Sequence, residues 1–217
     1  MNRHNVLPST LAALFLGLVA LMPIRPAHAQ TTTALEMPSP RQGYYLSAGL
    51  HAASQFIWKD SDAQGARTSI GNTLRLGEML TSRFGLGLLI GFTNADTAED
   101  TAFMGGLSLE GQARVWRNLA VHAATGLGFV QLTEKNPINP DDASEGVGGA
   151  MYTLGVSYDF FPYRKALSGG LSLSPTLRVH YIPGDALDGL AVFAGLDIIW
   201  WTGIPKNQLD LPPDRAF

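Results

Sequence analysis

The sequence predicts an all-β chain that folds as an eight-stranded antiparallel up-and-down transmembrane β-barrel. Apolar and polar residues alternate with a period of two, not 3.6, through most of the 217 residues. The alternating segments are about 11 to 16 residues long, whereas strands of soluble proteins have about 5 or 6 and a bilayer crossing needs about 9 to 11. Eight such segments can be counted, and eight is the smallest usual membrane barrel.

Composition excludes several other classes of protein. Charged residues make up 15%, hydrophobic residues 46%, and the mean hydropathy is +0.08, which is typical of neither a disordered chain nor a helical membrane protein. The absence of cysteine removes disulfides, thiolate metal sites and a cysteine nucleophile. A net charge of −3 gives no support for nucleic-acid binding.

The N-terminus has the pattern of a secretory signal peptide over residues 1–29. A short basic start with Arg3 precedes an apolar run over 11–22, and Ala27-His28-Ala29 fits the small-x-small cleavage pattern. A transmembrane anchor is the alternative, but the run is too short to span about 30 Å of hydrocarbon. We therefore expect an exported chain with a cleaved signal, followed by a periplasmic N-terminal segment over 30–42.

The barrel is predicted over residues 43–203. In the first strand the even positions from Tyr44 to Trp58 are mostly apolar, while the odd positions from Tyr45 to Gln55 are mostly small or polar. This places the even positions toward lipid and the odd positions toward the lumen. The eight strands are expected over 44–58, 69–80, 84–93, 103–115, 119–129, 152–160, 171–181 and 192–200.

Three residues depart from this alternation. Asn72 and Glu78 fall on the apolar face of the second strand. Pro175 interrupts the seventh strand, and a closed barrel has no free edge where a proline would be harmless. We expect a bulge or a missing ladder hydrogen bond at Pro175.

The connections predict an orientation. Segments 59–65, 94–101, 133–146 and 183–188 are polar and are expected to be long extracellular loops, whereas 81–83, 117–118 and 162–166 are expected to be short periplasmic turns. Both termini, including a C-terminal tail over 204–217, then lie in the periplasm. Aromatic residues near the strand ends predict two interfacial girdles. The girdle residues are Tyr44, Trp116, Phe160, Trp200 and Trp201 on the periplasmic side, and Trp58, Phe92 and Tyr181 on the other.

The last strand carries the most family-like stretch. Gly195 is followed by Ile198 and Trp200, which resembles the last-strand signal read by the barrel-assembly machinery, although Phe193 stands where that signal prefers a polar residue. With its architecture, the chain resembles small OmpA/OmpX/OmpW-like outer-membrane β-barrel proteins. The resemblance implies a bacterial outer-membrane location, contact with outer-membrane lipid and lipopolysaccharide, and handling by the assembly machinery during biogenesis.

The inward positions hold a polar set that we interpret as a lumen filled by mutually paired side chains, because an unpaired buried charge is costly. We expect at least one arginine–carboxylate contact among Arg75, Glu110, Arg114 and Asp197, at similar depth. A narrow channel or transporter for small solutes is the alternative. The complete set is His51, Arg75, Glu110, Gln112, Arg114, His122, Asp159, Arg178, His180 and Asp197.

The sequence contains little that indicates catalysis or cofactor binding. Some outer-membrane barrels modify lipid A with a Ser/His pair and an acid, but no His-x-Ser pairing occurs at the five histidines. Walker, HExxH and GxSxG patterns are absent, and the acidic segments around Asp96 and Asp141 match no EF-hand, so calcium binding stays open. We therefore predict a non-enzymatic barrel without catalytic, cofactor or metal residues, acting as a structural or surface-interaction protein with an unspecified ligand.

Overall fold

The computed structural model describes residue 41 and residues 43–59, 62–135, 144–162 and 170–203. The predicted signal peptide and C-terminal tail therefore lie outside the described residues. Eight strands account for most of the described chain. They are β1 (Gly43–Lys59), β2 (Asp62–Met79), β3 (Phe84–Asp96), β4 (Asp100–Trp116), β5 (Leu119–Glu134), β6 (Ser144–Tyr158), β7 (Gly170–Ile182) and β8 (Leu187–Trp201).

The strands form one closed barrel in sequence order, and every neighbouring pair is antiparallel. The predicted eight-stranded up-and-down barrel is confirmed. An even number of strands brings both ends of the barrel segment to the same rim, where the backbone N–H of Thr202 donates to the carbonyl of Tyr44 at 2.9 Å. We call this rim the short-turn end and the opposite rim the long-loop end. Among the described residues, no helix is long and apolar enough to cross a membrane.

The two faces of the wall follow the period-two pattern. On β3, Leu86 and Leu88 are 39% and 47% exposed on the outside, whereas Leu89 is fully buried inside. An exposed apolar belt around the outside of a closed barrel is typical of a surface that faces lipid. Further exposed residues of the belt are Leu46, Leu50, Ile70, Leu74, Leu76, Leu107, Leu109, Leu127, Leu154, Val156, Leu177, Leu196 and Ile198.

The predicted long loops are wrong in extent. β2 already begins at Asp62, β3 continues to Asp96 and β4 begins at Asp100, so most of the first two polar segments is strand. The other two segments are strand only at their ends, where β6 begins at Ser144 and β8 at Leu187. In these segments both faces of the strand carry polar side chains, so the sequence shows no alternation there. The backbone nevertheless continues to pair in hairpins beyond the apolar belt. The connection between β6 and β7, over 159–169, lies at the short-turn end and is itself long.

Pro175 has the effect expected of it. The β6–β7 ladder contains six pairs, from Tyr152↔Tyr181 to Ser157↔Thr176, and stops where Pro175 would come next. Pairing returns as one isolated bridge between Phe160 and Leu173 in the same register. The predicted missing ladder bond is therefore confirmed, and this seam is the shortest of the eight.

Most of the aromatic residues of the predicted girdles lie on the outer face of the barrel near the strand ends. Trp58 and Tyr181 are half-exposed. Trp201 contradicts the girdle prediction. Side chains alternate along a strand, so the residue after outward Trp200 points into the lumen. Trp201 is 2% exposed there, and its Nε1 donates to Ser172 Oγ at 2.9 Å. The girdle residues that are exposed on the outside are Tyr44, Phe92, Trp116, Phe160 and Trp200.

Candidate functional site

Four buried charged side chains meet in the middle of the lumen and form what we call the ionic layer: Arg75, Glu110, Arg178 and Asp197, each 0–1% exposed. Arg75 contacts Glu110 Oε1 through Nε at 2.7 Å and Nη2 at 2.6 Å. Arg178 bridges the two acids, with Nη1 at 3.0 Å from Glu110 Oε2 and Nη2 at 3.0 Å from Asp197 Oδ2. Two cations and two anions thus alternate around the layer, which satisfies the rule that buried charges are paired.

The membership of this layer differs from the expectation in one residue. The arginine contacts described for Glu110 and Asp197 come from Arg75 and Arg178. Arg114 is half-buried, and its backbone N–H donates to the carbonyl of Arg83 in the β2–β3 turn at 2.7 Å. It follows Glu110 by four positions on β4, which moves it toward the short-turn end. Arg178 takes the expected place because the barrel register brings β7 to the same depth.

A shell of neutral groups completes the coordination of these charges. His51 Nε2 lies 2.9 Å from Asp197 Oδ1, and the hydroxyls of Thr73 and Thr176 donate to the same carboxylate at 3.3 Å. Gln112 Oε1 accepts from Arg75 Nη2 at 3.1 Å. The charges therefore exchange water for protein donors and acceptors, and the layer acts as a polar core of the barrel.

His122 stands between Ser157 and Glu110, and the three have the connectivity of a catalytic triad. His122 Nε2 is 2.7 Å from Ser157 Oγ, and its Nδ1 is 3.5 Å from Glu110 Oε1 but 3.1 Å from Arg75 Nη2. Nδ1 thus lies between a guanidinium, which can only donate, and a carboxylate, which can only accept. A histidine that activates a serine nucleophile becomes positively charged when it takes the serine proton, and the Arg75 guanidinium beside Nδ1 opposes that charge.

A second ion pair closes the short-turn mouth. Asp159 is 2% exposed and pairs with Arg41, and Ser174 Oγ donates to Asp159 Oδ1 at 2.5 Å. Arg41 Nη2 also donates to the carbonyl of Asn118 at 2.5 Å. Arg41 cannot be predicted as a lumen residue from the sequence, since it precedes the first strand and belongs to no alternating segment.

Apolar side chains lie on both sides of the ionic layer. Toward the short-turn end, the ring of Tyr45 lies 5.3 Å from the guanidinium carbon of Arg75 and 5.2 Å from the ring of Trp201. Toward the long-loop end, Phe193 packs its ring on His180 at 4.4 Å. The short-turn apolar layer comprises Tyr45, Met79, Ile199 and Trp201. The long-loop apolar layer comprises Ala53, Ile57, Ala95, Ala102, Met104, Val130, Leu132, Met151, Ile182, Leu187, Ala191 and Phe193.

His180 therefore differs from the other lumen histidines. It is 1% exposed, and its Nε2 has no hydrogen-bond partner among the described residues. It packs on Phe193 at the border between the ionic and the apolar layer and forms no ion pair with a described residue. Among the described residues, no group of three or more His, Asp or Glu side chains is arranged to hold a metal ion.

The residues of the expected assembly signal lie on β8, which closes the barrel against β1. Ile198 and Trp200 project outward and are 49% and 65% exposed. Gly195 is tightly packed, since a Cβ there would overlap the carbonyl oxygen of Leu50. Their recognition by an assembly machinery stays a prediction.

Comparisons with known proteins agree with the architecture. No family model matches, and no curated protein matches. Among solved structures, Ail, the attachment invasion locus protein of Yersinia pestis, in complex with the heparin analogue sucrose octasulfate, is similar with a TM-score of 0.54 at 9% identity, over 72% of this chain and 99% of that chain. Neisserial surface protein A is similar with a TM-score of 0.48 at 14% identity, over 73% and 97%. The chain has the fold of small eight-stranded outer-membrane β-barrels.

Proposed function

We propose that this chain is a closed, non-enzymatic barrel of the bacterial outer membrane that presents its long-loop end at the cell surface. The observation that carries this proposal is the ionic layer, whose four charged side chains are paired with one another and are 0–1% exposed. A water-filled pore exposes its lumen charges to solvent, whereas these charges are enclosed between the short-turn and long-loop apolar layers. The barrel then serves as a scaffold and surface-interaction protein.

The long-loop end has an organised polar rim that suits contact with a partner. Arg67 binds Asp100 through Nε at 3.0 Å and Nη2 at 2.6 Å, and Thr97 Oγ1 donates to the same carboxylate at 2.9 Å. Lys135 Nζ lies 2.6 Å from Asp96 Oδ1 and its backbone N–H donates to the carbonyl of Glu99 at 2.8 Å. These bonds fix the β3–β4 hairpin, so a partner would meet a preformed surface.

The charge of this rim supports a cationic partner. Acids outnumber bases there, so a polyanion of the heparin type is disfavoured even though the similar Ail structure contains such a ligand. The described acids at the long-loop end are Asp62, Asp96, Glu99, Asp100, Glu134, Glu145, Asp185 and Asp188, and the bases are Lys59, Arg67 and Lys135. Export by a cleaved signal, assembly by the barrel-assembly machinery and contact with outer-membrane lipid and lipopolysaccharide belong to the same proposal.

Conductance of the protein in planar bilayers tests the closed barrel. The parent is expected to give no steady single-channel steps, with folded insertion verified by heat-modifiable migration on gels. A variant with Tyr45→Ala, Trp201→Ala and Phe193→Ala removes large side chains from both apolar layers and is expected to conduct. Steady steps from the folded parent would overturn the proposal in favour of a narrow solute channel.

A further inference from the structure

The hairpin that joins β4 to β5 contains two backbone irregularities side by side. A β-bulge lies between Arg114 and Trp116 on β4. Without the bulge, alternation would send Trp116 into the lumen; with it, both Val115 and Trp116 face outward, at 48% and 60% exposure. The bulge therefore places an indole on the lipid side of the short-turn end.

The next residue has an uncommon conformation. Arg117 has a φ of 42°, in the left-handed region that normally favours glycine or asparagine. This conformation lays its guanidinium over the Trp116 ring, with the Cζ atom 5.0 Å from the ring centroid. The turn is fixed by hydrogen bonds, because the carbonyl of Asn118 accepts from the backbone N–H of Asp159 at 3.1 Å and from the Arg41 side chain.

A second arginine lies in the neighbouring β2–β3 turn of the same rim. Arg83, in the β2–β3 turn, is exposed, and its carbonyl accepts from the Arg114 backbone N–H on β4. Neither Arg83 nor Arg117 forms an ion pair with a described acid. The described acids at this end are Glu78, on the outer face of β2, and Asp159, which is buried and bound by Arg41. The surface is thus cationic next to an exposed indole.

We propose that Arg83, Trp116 and Arg117 form a binding site for the headgroup of an anionic phospholipid, of the phosphatidylglycerol class, in the leaflet at the short-turn end. Tryptophan settles at the boundary between acyl chains and headgroups, so Trp116 sets the depth. The two guanidiniums then lie at the level of the lipid phosphate, which they can bind by charge-assisted hydrogen bonds. This inference rests on the membrane placement proposed above but not on whether the barrel is closed.

Lipid retention measures the site directly. The purified barrel is reconstituted in vesicles of equal parts phosphatidylglycerol and phosphatidylcholine with matched chains, and the lipids retained after detergent extraction are counted by native mass spectrometry. The parent is expected to enrich phosphatidylglycerol, and this enrichment should fall by about fivefold for each arginine removed in Arg83→Gln with Arg117→Gly. Equal enrichment in parent and double variant would overturn the proposal.

Three control variants test whether the two arginines act through lipid binding at this rim. Lys135→Gln removes one positive charge from the opposite rim and should leave the enrichment unchanged. Arg117→Gly relieves the strain of the left-handed backbone conformation, so the urea midpoint of this variant should equal or exceed that of the parent. A lower midpoint with unchanged enrichment of phosphatidylglycerol would mean that Arg117 has a structural role, and it would overturn the proposal. If the double variant does not fold, the lipid retention of Arg83→Gln alone is measured. A reduced enrichment of phosphatidylglycerol supports the proposal, and an enrichment equal to that of the parent overturns it.

The source of the phosphate is tested separately. Inorganic phosphate, compared with chloride at equal ionic strength, should not reduce the enrichment, because a free anion gains nothing from the Trp116 ring. Specific competition by inorganic phosphate would show that the site takes a free anion and would overturn the lipid assignment. A conducting parent barrel with intact enrichment would contradict the closed barrel alone.

Discussion

The ionic layer and the long-loop apolar layer lie in the same lumen and are built by the same strands. On β8, Asp197 and Phe193 are four residues apart, both point inward and both are at most 1% exposed. One is held by Arg178 and His51, whereas the other packs on the ring of His180. The comparison shows that the inside of this barrel is packed as a protein core, in which buried charges are paired and apolar side chains fill space only four residues away.

The two layers are expected to respond differently to the loss of one side chain. In the ionic layer, removing one acid leaves two buried arginines that share a single carboxylate and cannot reach water. In the apolar layer, removing a side chain leaves a cavity, whose cost depends on how far the neighbours relax. Of these two losses, the larger is expected in the ionic layer.

Glu110→Leu should be the more destabilising of the changes in the two layers, since it removes the carboxylate that Arg75 and Arg178 share. We expect a loss of about 3–5 kcal/mol in the free energy of unfolding. Urea titration in lipid vesicles, followed by tryptophan fluorescence, measures it. Adding Arg75→Met should recover part of the loss; a double variant that is worse by the sum of both changes would contradict the pairing.

Double-mutant cycles sharpen the same point. The Arg75–Glu110 pair, at 2.6 Å, should couple more strongly than Arg75–Asp197, at 3.6 Å. Arg114–Glu110 should show coupling near zero, because Arg114 does not join the layer. A large Arg114–Glu110 coupling would restore the arrangement expected from sequence.

Phe193→Ala should cost about 3–5 kcal/mol if the apolar layer is dry and rigid, and less if water enters beside His180. The same urea titration measures the loss. Phe193→Leu is the matched control that retains most of the volume. Equal stability of the alanine variant and the parent would show that this layer contributes no packing.

Leu88→Arg tests the wall from the outside. Leu88 lies on the apolar belt, and a cation there should cost about 2–4 kcal/mol in folding into lipid. Gly87→Arg, one residue earlier, should prevent folding by steric overlap, because even a Cβ at Gly87 would lie 2.5 Å from Tyr45 Oη. Folding yields in vesicles compare the two variants. A Leu88→Arg variant as stable as the parent would reverse the assignment of faces.

Pro175→Val should have the smallest effect. The backbone N–H it introduces would face the carbonyl of Tyr158 and restore a ladder bond between β6 and β7. We expect a gain of about 1 kcal/mol. A loss in urea titration would show that Pro175 fits the wall better than a strand residue does.

The sequence alone predicts the strands, their faces and their number, because the period of two is a local property of the chain. It does not predict which arginine joins Glu110, since Arg178 and Arg114 both point inward and only the register between distant strands selects one. The bulge at Trp116 and the insertion of Arg41 leave no periodic trace. The apolar layers also leave no regular pattern in the sequence, because inward Phe193, Met104 and Leu187 lie among polar residues of the same face.

The short seam between β6 and β7 has a mechanical consequence. Its six pairs compare with ten in the next shortest seam, between β2 and β3, and β6 from Ser144 to Met151 has no ladder partner on the β7 side. A closed ring under tension parts first at its weakest join. If this barrel were pulled open, β6 and β7 would become the two edges of a curved eight-strand sheet, with the β8–β1 closure still intact.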